Sequence, residues 1–185
     1  FSMRVVLASN NQHKIQEIKQ ILAGSSIHFQ SLLDFPDIPE PPENKNTFHE
    51  NAEQKAAFVY EYTKGTVIAD DSGLEVFALN GAPGIHSKRY TPEQTASANN
   101  KKLLQELQPH QDRKARFRCV VAVFNGTSTR YVEGVCKGSV GKIESGKQGF
   151  GYDPIFLPDG YQGKSLAELT MAEKNEISHR GVAFR

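Results

Sequence analysis

The stretch ARFRCVVAVFNGTSTRYVEGVCKG, Ala115–Gly138, decides the fold class. Two strand-like runs, ARFRCVVAVF and TRYVEGVCKG, flank a short polar segment containing glycine, the pattern of a long β-hairpin. A hairpin forms an antiparallel pair, so any sheet that includes it cannot be purely parallel. A two-residue loop at Thr127 and Ser128 would set Cys119 opposite Cys136. The two cysteines have no metal-type spacing and read as buried, reduced thiols.

Working outward, RVVLA (Arg4–Ala8) is a short apolar strand that runs through SNNQHK into a helix. Ile15, Ile18, Ile21 and Leu22 form the apolar face of that helix, and Gly24 can end it. IHFQSLL is a second strand. DFPDIPEPPENKN, with four prolines, is a loop. TFHENAEQKAAFVYEY is a helix opened by Thr47 and Glu50 in capping-box spacing. TVIA enters the polar stretch DDSG, and LEVFAL leaves it as a strand. A further helix is expected over Thr91–Leu107 with Pro92 at its first position. SLAELTMAEKNEISHRGVAFR is mostly helical, with Thr170 and Glu173 as another capping box. Strands alternating with helices around a central hairpin predict an α/β fold with a mixed sheet.

The chain has 185 residues, 38% hydrophobic and 23% charged, enough to bury a core. Its 22 basic and 21 acidic residues leave a net charge of +1, which supplies no general attraction to nucleic acid or to a membrane surface. No apolar run reaches the ~20 residues that span a bilayer. With no signal peptide read at the start, a cytoplasmic protein is expected. Phe1 and Ser2 are expected to precede a natural start at Met3, and one domain is expected over residues 4–185.

Five places could carry chemistry. SNNQHK lies where a strand meets a helix, and free amides at a helix N-terminus attract anions. Ser9, Asn10, Asn11 and Lys14 there read either as a phosphate cradle or as an N-cap cluster with a solvated lysine. In ADDSG, the adjacent Asp70 and Asp71 favour a cation or proton between them, or else form an acidic turn. Mg²⁺ uses one or two such carboxylates plus phosphate oxygens, and Glu40 and Glu43 are within sequence reach of the same ion. Glu50 reads as a helix cap, and Lys55 could point to a phosphate. GFGYDP (Gly149–Pro154) combines flexible glycines with two aromatic faces and a proline, a clamp for a planar ligand. EKNEISHR offers Lys174, His179 and Arg180 as donors to carbonyl or phosphate oxygens, or as a basic helix end.

VVLASNNQHK, TFHENAEQKA, IADDSGLEV, GAPGIHSKRY, GFGYDPIF and AEKNEISHRG, in this order, resemble the inosine triphosphate pyrophosphatase family over about Arg4–Arg180. The resemblance implies an elongated α/β fold, with two lobes around a mixed central sheet and the site in the cleft. It also implies a Mg²⁺-dependent homodimer that hydrolyses deaminated purine nucleoside triphosphates (ITP, dITP, XTP) to monophosphate and pyrophosphate. By resemblance, Ser9, Asn10, Asn11 and Lys14 hold the triphosphate, with Lys55 assisting. Asp71 is the metal-binding acid and proton acceptor, joined by Glu43 or Glu40, and Ser72 lies beside the substrate. Phe150, Gly151, Tyr152, Asp153, Lys174, His179 and Arg180 fall at the base-recognition positions. Tyr152 reads equally as a core residue. Asn10 stands where the family carries glycine, and asparagine tolerates the left-handed backbone that glycine would supply there. The family generally continues with a C-terminal helix beyond the last residue here. Two alternatives remain from the residues themselves: a Maf-like pyrophosphatase acting on pyrimidine or modified nucleotides, and a nucleotide sensor without turnover.

Overall fold

The computed structural model describes residues 3–25 and 27–183. The strands are β1 (Met3–Leu7), β2 (Ile27–Ser31), β3 (Val67–Val76), β4 (Lys114–Phe124), β5 (Thr129–Val140) and β6 (Phe156–Pro158). The helices are α1 (Gln12–Ile21), α2 (Phe48–Thr63), α3 (Ala96–Leu107), α4 (Met171–Ile177) and α5 (His179–Ala183). The strands form one sheet in the order β2-β1-β3-β4-β5-β6. β1 pairs in parallel with β2 and β3, and β5 pairs antiparallel with β6, so the sheet is mixed as the central hairpin predicts. No helix among the described residues is long and apolar enough to cross a membrane.

The chain divides into two compact units. The first takes the chain as far as Asp71, then Cys119–Gly134, and Ala183. The second takes Ser72–Arg118 and Val135–Val182. In the first unit, β1 and β3 are buried on both faces. Leu7 and Ile68 pack with Ile15 and Ile18 of α1. Val6, Ala8, Val67 and Ala69 pack with Ala56 and Val59 of α2. Side chains alternate across a strand, so β3 presents even-numbered residues to α1 and odd-numbered ones to α2. In the second unit, Leu103 and Leu107 of α3 pack with Leu74, Val76, Phe117, Ile155 and Phe156. Burying side chains of this size contributes roughly 1.5–3 kcal/mol each.

Four local readings are corrected. DDSG is not a turn between strands; it lies within the ten-residue β3. The hairpin loop is Asn125–Ser128 rather than Thr127–Ser128, so the condition for setting Cys119 against Cys136 is not met. Asn125 Oδ1 holds this loop, accepting from the Thr127 and Ser128 amides at 2.9 Å each. Both thiols are free and buried. α3 starts at Ala96, capped by Thr95, because Gln94 at φ 53° breaks the helix and Thr91 is bound to Asn99. At α2, Thr47 caps as expected by accepting from the Glu50 amide. The Glu50 carboxylate, however, accepts from the Thr47 hydroxyl rather than from its amide. The Thr170–Glu173 capping box is complete.

Candidate active site

The acidic pair lies in the first unit, and alternation along β3 gives its two members different neighbours. Asp70 turns toward α1. Its Oδ1 lies 3.3 Å from Lys14 Nζ, and Cys119 Sγ lies 3.7 Å from its Oδ2. Asp71 turns toward α2, where Asn51 Nδ2 donates to Asp71 Oδ2 at 3.1 Å. The Asn51 amide can point only one way, because its Oδ1 accepts from the Lys45 N–H at 2.9 Å. Lys55 is buried nearby, 2.5 Å from Glu43 Oε1, and also donates to the Asp70 backbone carbonyl.

Electrostatics follow from this packing. Burial drives the Asp71 carboxyl up to about 6; Lys55 opposes the rise, Glu43 adds to it, and the Asn51 bond opposes it. The carboxylate that adds to the rise is Glu43, from the proline-rich loop. Burial on its own would lower the Lys55 pKa, but Glu43, Asp70 and Asp71 reverse the sign and hold it as an ammonium. A buried acid that is costly to ionise, beside a second carboxylate, fits a divalent cation. Asp71 and Glu43 could supply donors to such an ion; Glu40 is exposed. Among the described residues, no cluster of three or more His, Cys, Asp or Glu is placed to hold a metal.

The SNNQHK segment folds as a capped helix start. Ser9 Oγ accepts from the Asn11 N–H at 3.1 Å, and Asn11 Oδ1 accepts from the Lys14 N–H at 3.2 Å. Asn10 is exposed, and φ is positive at Lys64, Asn80, Gln94 and Gln162 among non-glycine residues but not at Asn10. The left-handed backbone anticipated there is absent, which explains why glycine is not required.

The second unit holds the aromatic segment. Gly149 has φ 73°, and a Cβ there would sit 2.1 Å from Asp153 Oδ2. The same oxygen accepts from the Phe150 N–H at 3.0 Å and from Lys174 Nζ at 2.6 Å. Asp153 and Lys174 are both buried, so this acid organises the segment and Lys174 is bound to it. Lys174 Nζ also lies 4.7 Å from the Phe150 ring centroid, with the Arg180 guanidinium at 5.5 Å. Phe150 is thus partly exposed and flanked by cations. Tyr152 belongs to the core, as its alternative reading had it, and its hydroxyl donates to the Ser87 carbonyl at 2.6 Å. Ser72 is half-buried at the start of this unit. The His179 side chain lies outside the described residues.

Asn51 escapes a motif-by-motif reading, although the signal is present. Phe48, Asn51, Ala52, Lys55, Ala56 and Val59 form the buried stripe of α2, and two of these six are polar. A polar residue on an apolar stripe needs a buried partner.

The model of the Ham1 family matches residues 5–185. Among curated relatives, the dITP/XTP pyrophosphatase of Desulfotalea psychrophila is 47% identical over 183 residues, covering 97% of this chain and 81% of that protein. The dITP/XTP pyrophosphatase of Geobacillus kaustophilus is 47% identical over 185 residues, covering 97% and 90%. The Staphylococcus aureus Ham1 protein superposes with a TM-score of 0.85 at 41% identity, covering 97% of this chain and 93% of that one. A HAM1 protein from Coxiella burnetii gives a TM-score of 0.89 at 39% identity, covering 98% and 94%.

Proposed function

The chain belongs to the Ham1 family, and we propose that it hydrolyses deaminated purine nucleoside triphosphates (dITP, ITP and XTP) to the monophosphate and pyrophosphate. In this reading it clears such nucleotides from the cytoplasmic pool before they enter DNA or RNA. The observation that carries the reading is the buried Asp71, held by Asn51 beside Glu43 and Lys55, in a chain 47% identical to dITP/XTP pyrophosphatases.

Water attacks the α-phosphorus, the bond from that phosphorus to the bridging oxygen breaks, and pyrophosphate leaves. Asp71 accepts the proton of the attacking water. Ser9, Asn10, Asn11 and the start of α1 receive the triphosphate, and Lys14 and Lys55 balance its charge. Mg²⁺ would be held by Asp71 with Glu43, and it supplies charge neutralisation on the phosphates. Phe150 offers the base a face, Arg180 and His179 supply donors to it, and Asp153, Lys174 and Tyr152 hold Gly151 and Phe150 in place. Ser72 stands beside the substrate. The working form is proposed to be a homodimer with no nucleic-acid or membrane partner.

The test is pyrophosphate release over a panel of ITP, dITP, XTP, GTP, ATP and pyrimidine triphosphates. Turnover confined to the deaminated purines supports the reading. Preferred hydrolysis of a pyrimidine nucleotide points to the Maf-like alternative, and binding without release points to a sensor.

A further inference from the structure

Two consecutive asparagines, Asn99 and Asn100, are buried in α3 at 5% and 1% exposure. Asparagine is a mediocre helix former and costly to bury, so each copy needs partners. The two find them on different loops. Asn99 Oδ1 accepts from the Thr91 N–H at 3.0 Å and from Thr91 Oγ1 at 2.7 Å. Its Nδ2 donates to the Ser87 and Lys88 carbonyls at 3.3 and 3.2 Å. Asn100 Nδ2 donates to Glu144 Oε1 and to the Gly151 carbonyl, both at 3.1 Å.

These bonds close a circuit. Asn100 holds Gly151; Tyr152, the next residue, donates its hydroxyl to the Ser87 carbonyl; and Asn99, beside Asn100, donates to that same carbonyl. Gly151 has φ 62° and directly follows Phe150, so holding its carbonyl restrains the backbone that carries the Phe150 ring. Both hydrogens of the Asn100 amide are aimed out of α3, one at Glu144 and one at Gly151.

We propose that Asn100 is a positioning residue for base recognition: by holding the Gly151 carbonyl from α3, it sets the Phe150 ring for the purine. This rests on the reading of Gly149–Pro154 as the base-binding segment. Asn100 touches no substrate; it acts through Gly151 and Phe150.

The test separates the base from the phosphates. Asn100→Asp preserves size but turns a carboxylate toward the Glu144 carboxylate and the Gly151 carbonyl. Its kcat/KM for dITP is expected to fall about tenfold, and its preference for dITP over dATP to shrink, the loss of one well-placed polar contact. Inhibition by tripolyphosphate, which has no base, should stay at the wild-type level. Glu144→Gln keeps an acceptor for the Asn100 amide and should stay near wild type. Wild-type kinetics in Asn100→Asp overturn the proposal. So does an equal loss of dITP turnover and tripolyphosphate affinity, which is the signature of a general structural defect. If Asn100→Asp does not fold, Tyr152→Phe opens the circuit at Ser87 while keeping the ring. It should show the same base-selective loss, and its absence overturns the proposal. A wild-type protein that releases no pyrophosphate from dITP or XTP overturns the underlying base-site reading instead, and this is seen before any variant is made.

Discussion

Lys14 Nζ lies 3.3 Å from Asp70 Oδ1, while Asp71, one residue further along β3, turns the opposite way to Asn51. The paired acids therefore have separate partners, Asp70 a lysine of α1 and Asp71 an asparagine of α2, and the proposed chemistry divides along the same line. Asp71→Asn should lower kcat by about 10²–10⁴-fold, the usual range for removing a positioned general base. Asp70→Asn should act mainly on KM, because Lys14 loses the group that aims it. It should also destabilise the fold by about 1–3 kcal/mol, as a charged partner is lost from a site where Asp70 is 2% exposed. Steady-state kinetics on dITP with denaturant titration check both. A fall in kcat as deep for Asp70→Asn as for Asp71→Asn would refute the division.

Asp71 should trade stability for function. Burial raises its carboxyl from 3.8 to about 6, so the folded state holds the proton more tightly than the unfolded one. The stabilisation this gives is complete below pH ~4 and is lost as pH rises through ~6. Above that, the metal-free protein carries a buried charge that costs on the order of 3 kcal/mol. Asp71→Asn removes the charge and keeps an acceptor for Asn51. In EDTA its melting temperature should exceed wild type at pH 7.5, and the gap should close as pH falls below ~4. A variant less stable than wild type at pH 7.5 would show that burial does not penalise this carboxylate.

The mixed α/β class was legible because the hairpin and the amphipathic helices are local patterns, and local patterns survive folding. ADDSG was misread because Asp, Ser and Gly favour turns in isolation. In the fold each acid gains a partner from a different helix, Lys14 from α1 and Asn51 from α2, and with those partners the chain stays extended. Neither helix is visible from the pentapeptide. Lys174 and Asp153 lie 21 residues apart, and no spacing rule links them. Their ion pair braces the segment that carries Phe150. β6 has three residues, too short for any period to appear.

That brace yields its own test. Asp153 Oδ2 and Lys174 Nζ are 2.6 Å apart at 5% and 4% exposure. Removing one partner of such a pair strands a buried charge at a cost of about 3–5 kcal/mol. Asp153→Asn should therefore be strongly destabilising. Asp153→Asn combined with Lys174→Met should recover much of the loss, because neither charge then remains. Urea unfolding of the two singles and the double gives the coupling. Simple additivity would mean the pair does not act as a unit.

Assembly is read from mass. A homodimer should sediment near twice 20.5 kDa at micromolar concentration. A single species at the monomer mass would remove the dimer from the proposal without touching the chemistry.

Base selection follows from counting donors and acceptors. Hypoxanthine and xanthine carry an oxygen at purine position 6, which accepts hydrogen bonds; adenine carries an amino group there, which donates. Arg180 is buried, its guanidinium 5.5 Å from the Phe150 ring centroid, and it presents only donors. Opposite adenine those donors meet another donor, and a buried polar group left without its partner costs about 1–3 kcal/mol, more when charged. Sites built around such a bond reject the wrong partner by about 10⁴-fold or more, so ATP should be a very poor substrate. GTP shares the position-6 oxygen, so these donors cannot refuse it, and its 2-amino group must be excluded by different contacts. The two discriminations should separate by mutation. His179→Ala combined with Arg180→Ala should bring activity on ITP down toward that on ATP without selectively improving GTP. Pyrophosphate release on the three nucleotides measures this directly. A double variant that keeps the full preference for ITP over ATP would show that position 6 is read by other groups, and Arg180 would then be a structural partner of Phe150 alone.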